Sequence, residues 1–494
     1  MHRLWNIVEI VEEIVGWVGT MSEYPTRARR TYAALTKTAR LFYFTARQHL
    51  WAEIDTAALH RLLNVHRVKS VPERVKSYTS FERHIRSITI DGDQHSLSCL
   101  IDAYIGMAAL SPCGMVGSFA KLQKLVLDVV PEDEDTLQFC CHYAGYSLAT
   151  LCLVPSLREI DLKFDVVYLH ELVDQAVTFL QAIPTRCTDL TTLRIFTFTR
   201  SDWIGPSQVP EEIHVVVLDI IAQLPKLHTF HCGVWILCPN HFKSLTQHQT
   251  LKHLTIDDDC DFDEFPYECE RAILQMRSAQ SLRSGWFLPL RSLHLELSVT
   301  AITSILPDPR YKSDASGNIV DQMPLLETLS ITSPFTMMEE EEEEYESVSL
   351  KYLIKRLRIC RHVVNLSLDV AFEPAISDRE ILLLAKTWPD LQSLAIQSSY
   401  RSDRAHTNLT GLSLLHLASH CRSLTSVDLC FLRLRIVPLP KAIAPSFVLN
   451  KLRIRSATST SSRFVDNFIR RLWPAAEVHL NEKCLNQDAE NEVD

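Results

Sequence analysis

Few side chains in this sequence are of types that could do chemistry, and their spacing decides which chemistry is open to them. Three histidines, His231, His253 and His294, fall at comparable places in a recurring apolar pattern. Imidazole is the commonest metal ligand among side chains, so a shared ion is the first possibility to test. The pattern puts the three on consecutive strands, on the polar side of a sheet. His231 and His294 are then two strands apart, about 10 Å at ~4.8 Å per strand, against metal bonds of roughly 2 Å. That is too far for a shared metal, and solvated or partner-contacting histidines are expected instead. Cys140-Cys141-His142 lacks the spacing that lets two thiolates meet one zinc. The sequence contains no phosphate loop, dinucleotide glycine pattern, His-Glu-x-x-His or Gly-x-Ser-x-Gly. The expectation is a non-enzyme with no metal and no cofactor.

The elements that must position these residues are announced by a short phrase, apolar-x-x-apolar-x-apolar. It occurs at Leu122, Leu125, Leu127; Leu157, Ile160, Leu162; Leu190, Leu193, Ile195; Leu251, Leu254, Ile256; and Leu290, Leu293, Leu295. It continues at Leu326, Leu329, Ile331; Leu391, Leu394, Ile396; Leu424, Val427, Leu429; and Leu449, Leu452, Ile454, with weaker copies beginning at Ile85, Leu227 and Val363. From 85 to 449 there are eleven steps, so the mean period is 364/11, or 33 residues. The last two apolar residues of each phrase alternate with polar ones, as in a strand with one buried face. Pro155, Pro225, Pro289, Pro324 and Pro389 sit one or two residues before the first anchor, where a helix must stop. Helix-like runs lie between phrases, such as Leu169, Leu172, Ala176, Val177, Leu180 and the segment behind the capping box Ser377-x-x-Glu380.

Strand, turn and helix repeated at this period resemble the leucine-rich-repeat family over roughly residues 80 to 480. The resemblance implies an α/β solenoid with parallel strands on a concave face and helices on the convex one. Steps range from 24 (Leu227 to Leu251) to 39 (Leu251 to Leu290), so the solenoid is expected to be irregular.

Composition agrees with an ordinary soluble protein, with 46% hydrophobic residues, 22% charged and a net charge of −10. That charge argues against a general nucleic-acid binder. The fourteen cysteines are scattered, with Cys152, Cys232 and Cys430 on apolar faces, and are expected to be free thiols in a reducing compartment. Glu9, Glu12 and Glu13 interrupt the first apolar stretch, which no secretory signal tolerates. The uncharged run from Phe139 to Leu157 is expected to be a repeat helix, not a membrane span. A cytoplasmic or nuclear location without membrane contact follows.

Acidic segments recur after strands: Glu132 to Asp135, Asp257 to Glu264, and Glu339 to Glu344. They are expected on one rim of the solenoid as solvated loops, the last disordered or extended. Steering of a basic partner is the alternative reading.

Residues 1 to 60 do not follow the repeat. Ile7, Ile10, Val11, Ile14, Val15 and Val18 define one amphipathic helix, and a second pattern runs from Tyr32 through Leu35 and Leu41 to Leu50 and Trp51. This is more apolar surface than so small a unit can bury by itself. The stretch Leu4-Trp5-Asn6-Ile7-Val8-Glu9-Ile10, with Tyr32 to Phe42 and Ala46-Arg47-Gln48-His49-Leu50-Trp51-Ala52-Glu53-Ile54, resembles the F-box of basidiomycete F-box proteins. Val8 stands where that family has a proline. An F-box ahead of leucine-rich repeats implies the substrate-recognition subunit of a cullin-type (SCF) ubiquitin ligase, with a Skp-type adaptor and the cullin complex as partners. Leu4, Trp5, Ile7, Ile10, Val11, Ile14, Leu35, Leu50 and Trp51 would then meet the adaptor. The alternative is a non-ligase interaction scaffold whose head caps the solenoid.

The expected organisation is therefore a helical head at 1–60, a connector at 61–84, the solenoid at 85–480 and a disordered tail at 481–494. An unidentified protein target would lie on the concave face. Within each strand the side chains flanking the core-facing ones point the other way, which assigns Arg194, Phe196, His231, His294, Asp428, Lys451, Arg453 and Arg455 to that face. The surface is expected to grow more basic toward the carboxyl end.

Overall fold

The computed structural model describes residues 30–35, 50–59, 84–91, 119–128, 138–198, 209–233, 235, 244–257, 287–297, 299–306, 323–333, 347–397, 407–434, 448–459 and 462–480. It forms two units, Met1–Ser201 with Gln208–Leu227, and Asp202–Ser207 with His228–Asp494.

The first unit holds β1 (Glu53–Asp55), β2 (Ser87–Asp91), β3 (Lys124–Asp128), α1 (Gln138–Cys152), β4 (Glu159–Asp165), α2 (Val166–Glu171), α3 (Val173–Arg186), β5 (Thr192–Phe198) and α4 (Glu211–Gln223). Its strands pair in parallel and in chain order. Ile88, Leu125, Ile160 and Leu193 share one level of the sheet, and Ile90, Leu127, Leu162 and Ile195 the next on the same face. All eight are buried. A slip by one residue would turn every one of them outward, so the phrase itself fixes the register. The uncharged run becomes α1, which buries Ala144, Leu148, Ala149 and Cys152. No helix among the described residues is long and apolar enough to cross a membrane. Tyr146 of α1 joins the layers, its ring 5.9 Å from that of Phe164 on β4 and 6.3 Å from that of Phe179 on α3.

The second unit continues the scheme with β6 (Thr229–Gly233), β7 (His253–Asp257), β8 (Ser292–Glu296), α5 (Val299–Ile305), β9 (Thr328–Thr332), α6 (Leu350–Leu357) and β10 (Asn365–Asp369). After these come β11 (Ile376–Ser377), α7 (Asp378–Thr387), β12 (Ser393–Gln397), β13 (Thr407–Asn408), α8 (Gly411–His420), β14 (Ser426–Leu434), β15 (Lys451–Ser459), α9 (Ser462–Leu472) and β16 (Glu477–Leu480). Within the unit the main sheet runs β6, β7, β8, β9, β10, β12, β14, β15, β16, and β11 pairs with β13 in a separate two-stranded ribbon. Leu254, Leu293, Leu329, Leu366, Leu394, Val427, Leu452 and Val478 share one level. The capping box is present, with the Ser377 amide donating to Glu380 at 3.0 Å.

Several strands are approached in the same way. The first anchor of a phrase donates its amide to the carbonyl three residues earlier: Leu122 to Phe119, Leu157 to Val154, Leu190 to Cys187, Leu290 to Phe287, Leu326 to Met323 and Leu391 to Trp388. Pro155, Pro324 and Pro389 occupy the second position of this turn, where their fixed φ is already correct. Phe287 and Met323, which open two of these turns, are left-handed at φ 48° and 51°. The next two amides converge on one carbonyl of the preceding repeat: Arg158 and Glu159 on Gln123, Lys252 and His253 on His228, Gln392 and Ser393 on Val364. The backbone groups beside each turn are thereby paired, as a buried chain requires.

The structure corrects three expectations. The sheet begins at β1, inside the segment expected to be a helical head, and not at residue 85, because Ile54 is buried opposite Ile88. Thr56 secures that strand, its hydroxyl accepting the Asp91 amide at 3.0 Å. Cys430 is only half-buried, since it shares the face of Asp428, while Cys152, Cys187, Cys232, Cys360 and Cys421 are buried free thiols. Asp257 is the last residue of β7, not part of a loop. The rest of that acidic run lies outside the described residues, as do Glu132 to Asp135, Glu339 to Glu344 and the tail.

Candidate partner-binding face

Every strand of five residues with a complete burial pattern buries its second and fourth residues and leaves the alternate ones half-buried or exposed, save Gly233 at the end of β6, which is buried. Within each unit these alternate side chains form an open polar face on the side of the sheet away from the core, and the residues expected to meet a target fall on these faces, Arg194 and Phe196 in the first unit and His231, His294, Asp428, Lys451, Arg453 and Arg455 in the second. The strand register sorts them into groups.

In the first unit Arg194 lies opposite Asp161, and Phe196 opposite Lys163. Arg194 forms an ion pair with Glu159 and approaches Asp161 at 3.6 Å. Glu159 also accepts from Lys124 at 2.9 Å, and Lys163 reaches Asp128 at 2.6 Å. Burial pushes the Glu159 carboxyl up, but hydrogen bonds and charge from Lys124 and Arg194 together bring it below its usual range. Phe196 is half-buried beside this charge ladder.

In the second unit His231 and His294 both lie opposite Thr255, so they are two strands apart as expected. The residue between them is what the spacing argument left out. Asp257, two residues beyond Thr255 on the same face, takes a short contact from His231 on its Oδ2 and stands 3.7 Å from His294 Nε2 through its Oδ1. Glu296, two residues beyond His294, completes a set with Asp257 and His294 in which one ligand atom from each lies within 4.8 Å of the others. Burial, with the charge of Asp257 next and that of Asp369 smaller, pushes the Glu296 carboxyl up against a partial pull from His294. His253 is exposed on the first position of β7, opposite Thr229 and Ser292, and contributes nothing to this set.

The carboxyl-terminal group is centred on Asp428, directly opposite Arg453. Its carboxylate lies 3.8 Å from Arg453, 3.7 Å from Arg455 and 3.3 Å from the Gln397 amide. Lys451 lies opposite Ser426 and Glu477. The expected basic surface is thus partly neutralised by Asp428, leaving exposed Lys451, Arg453 and Arg455 around one acid. From His294 on β8 to Asp428 on β14 there are four strand spacings, about 19 Å at ~4.8 Å each, so these are separate groups.

Of the residues expected to meet the adaptor, Leu4, Trp5, Ile7, Ile10, Val11 and Ile14 lie outside the described residues. Leu35, Leu50 and Trp51 are described and half-buried, the last two leading directly into β1. Reasoning from sequence missed Glu159, Asp161, Asp257 and Glu296. Glu159 and Asp161 showed only as polar residues inside a phrase, Glu296 as one just after it, and Asp257 as the first residue of an acidic run.

No protein-family model and no curated protein matches the sequence. Among solved structures, the chain is similar to one titled as a TLR13–ssRNA13 complex, at 14% identity and a TM-score of 0.33. The match covers 73% of this chain and 46% of that one, so the chain spans less than half the length of its structural neighbour.

Proposed function

We propose that the protein is a non-catalytic recognition subunit that holds a partner protein on the open face of its parallel sheet. The observation that carries this reading is the repetition of that face. Strand after strand presents charged and polar side chains on a framework whose opposite side is fully packed, and rigid framework lowers the ordering cost of binding. The F-box resemblance of residues 4–54 extends the reading to a cullin-type ubiquitin ligase, in which the head docks the Skp-type adaptor and the open face holds the protein to be modified. The apolar spacing of Ile7, Ile10, Val11 and Ile14 is the pattern of an amphipathic segment suited to docking into a partner's groove.

One observation favours a second reading. Ile54, the last residue of the F-box resemblance, is a core residue of β1, so the residues just before it adjoin the strand that begins the sheet among the described residues. An uncovered edge is an aggregation hazard, and a helical head that caps it would serve the fold alone. Binding of a purified Skp-type adaptor to the full chain separates the two. The ligase reading expects a complex that Trp5→Ala and Ile10→Asp each weaken by ~2 kcal/mol or more; the capping reading expects no complex and lowered stability in the same variants.

A further inference from the structure

We propose that Asp257, His294 and Glu296 form a binding site for a divalent transition metal of the zinc class on the open face of the second unit. The inference rests on the geometry of β6, β7 and β8 and does not depend on the ligase reading.

The period of two along β8 puts His294 and Glu296 on one face, and parallel pairing with β7 sets Asp257 beside them. One imidazole nitrogen and two carboxylate oxygens converge to within 4.8 Å of one another, with His294 Nε2 and Asp257 Oδ1 at 3.7 Å. Ligands at roughly 2.0–2.1 Å around a tetrahedral ion are about 3.4 Å apart, so closure needs side-chain shifts of about 1 Å. Two further observations point to a cation. Asp257 Oδ1 is buried and has no hydrogen-bond partner, although a buried carboxylate oxygen ordinarily has one. The other oxygen of the same carboxylate is held by His231, the kind of outer contact that aims a metal-binding carboxylate.

The two carboxylates of the set, Asp257 and Glu296, are groups whose charge a dication neutralises. The donor set selects the ion. An imidazole argues against magnesium and calcium, which take oxygen ligands, and a site of one nitrogen and two oxygens without thiolate argues against copper(I). Three protein ligands leave a fourth position for water or for a side chain of a bound partner, the pattern of an open zinc site.

The test is titration of the full-length, metal-stripped chain with Co²⁺ as a spectroscopic stand-in, followed by displacement with Zn²⁺. The expected result is one saturable site with ligand-field absorption and no thiolate charge-transfer band, released by Zn²⁺ and not by Ca²⁺. Glu296→Gln and His294→Ala should each weaken binding at least about tenfold, and His231→Ala by roughly ten- to a hundredfold through loss of the outer contact. Glu296→Gln preserves shape, so its loss of metal at unchanged circular dichroism cannot be ascribed to misfolding. Absence of any saturable Co²⁺ site in the wild-type chain, or wild-type affinity in Glu296→Gln and His294→Ala, overturns the proposal.

Discussion

Glu159 is the hub of the first unit's open face, holding Lys124 and Arg194 from the two neighbouring strands. Its carboxyl is lowered in the folded chain, so its stabilising effect is present above the ordinary carboxylate range and is lost as pH falls through the folded value. Glu159→Gln should therefore lower the melting temperature at pH 7, and the gap from wild type should narrow on acidification. Thermal melts of both proteins across that range check the sign; a gap that widens toward acid would contradict it. The cysteines behave oppositely. Burial pushes the thiols of Cys152, Cys187, Cys360 and Cys421 up to about 12, which leaves almost no thiolate at neutral pH. Labelling with a thiol-specific disulfide reagent and peptide mapping should find these four unmodified in the native chain and reactive after denaturation. Of the four, only the burial of Cys152 was readable from the sequence, because it lies in an apolar run, whereas Cys187, Cys360 and Cys421 stand among polar and charged neighbours. The carboxylate groups were not, because Asp257 meets His294 only through strand register, which no local pattern encodes.

The repeat is built from a strand, a turn and a helix, and these elements differ in how far the sequence reveals them. Strands carrying the full phrase were legible, since alternation of two and in-phase prolines agree, and Leu125, Ile160 and Leu193 do share one level. β1 was not legible because Ile54 is its single buried residue, too short a run to show a period. The turn was half legible: its proline was visible, but its opening residue varies among Phe119, Val154, Cys187 and Trp388 and shares only burial. Tertiary ties between helices left no trace in sequence. Asp378 at the start of α7 accepts the Thr410 amide at 2.8 Å, the Thr410 hydroxyl at 2.6 Å and the Ser413 hydroxyl at the start of α8. Asp378→Ala strands these donors and should cost ~1–3 kcal/mol in urea unfolding, by the usual penalty for buried unpaired groups. Leu293→Ala, at a fully buried strand position, should cost ~2–5 kcal/mol in the same measurement. A neutral result for Leu293→Ala would mean that the in-register core does not hold the second unit together.

For the whole molecule, a solenoid-type repeat grows by adding neighbours, so each unit can present a long polar face without enlarging a central core. The faces of the two units differ. The first unit offers a charge ladder around Glu159, and the second offers both an acidic and imidazole group at β6 to β8 and a basic group around Asp428 at β14 and β15. A partner with matching patches would bind in one orientation, at a rate that falls with salt. The proposed function joins such a face to a docking head in one recognition subunit. Its test is calorimetric titration of the full chain with a purified Skp-type adaptor, using wild type, Trp5→Ala, Ile10→Asp and the open-face double variant Arg453→Glu with Arg455→Glu. A stoichiometric complex is expected for wild type and for the open-face variant, with affinity reduced by ~2 kcal/mol or more in each head variant. Absence of binding by the wild-type chain, or equal affinity in all four proteins, would contradict it.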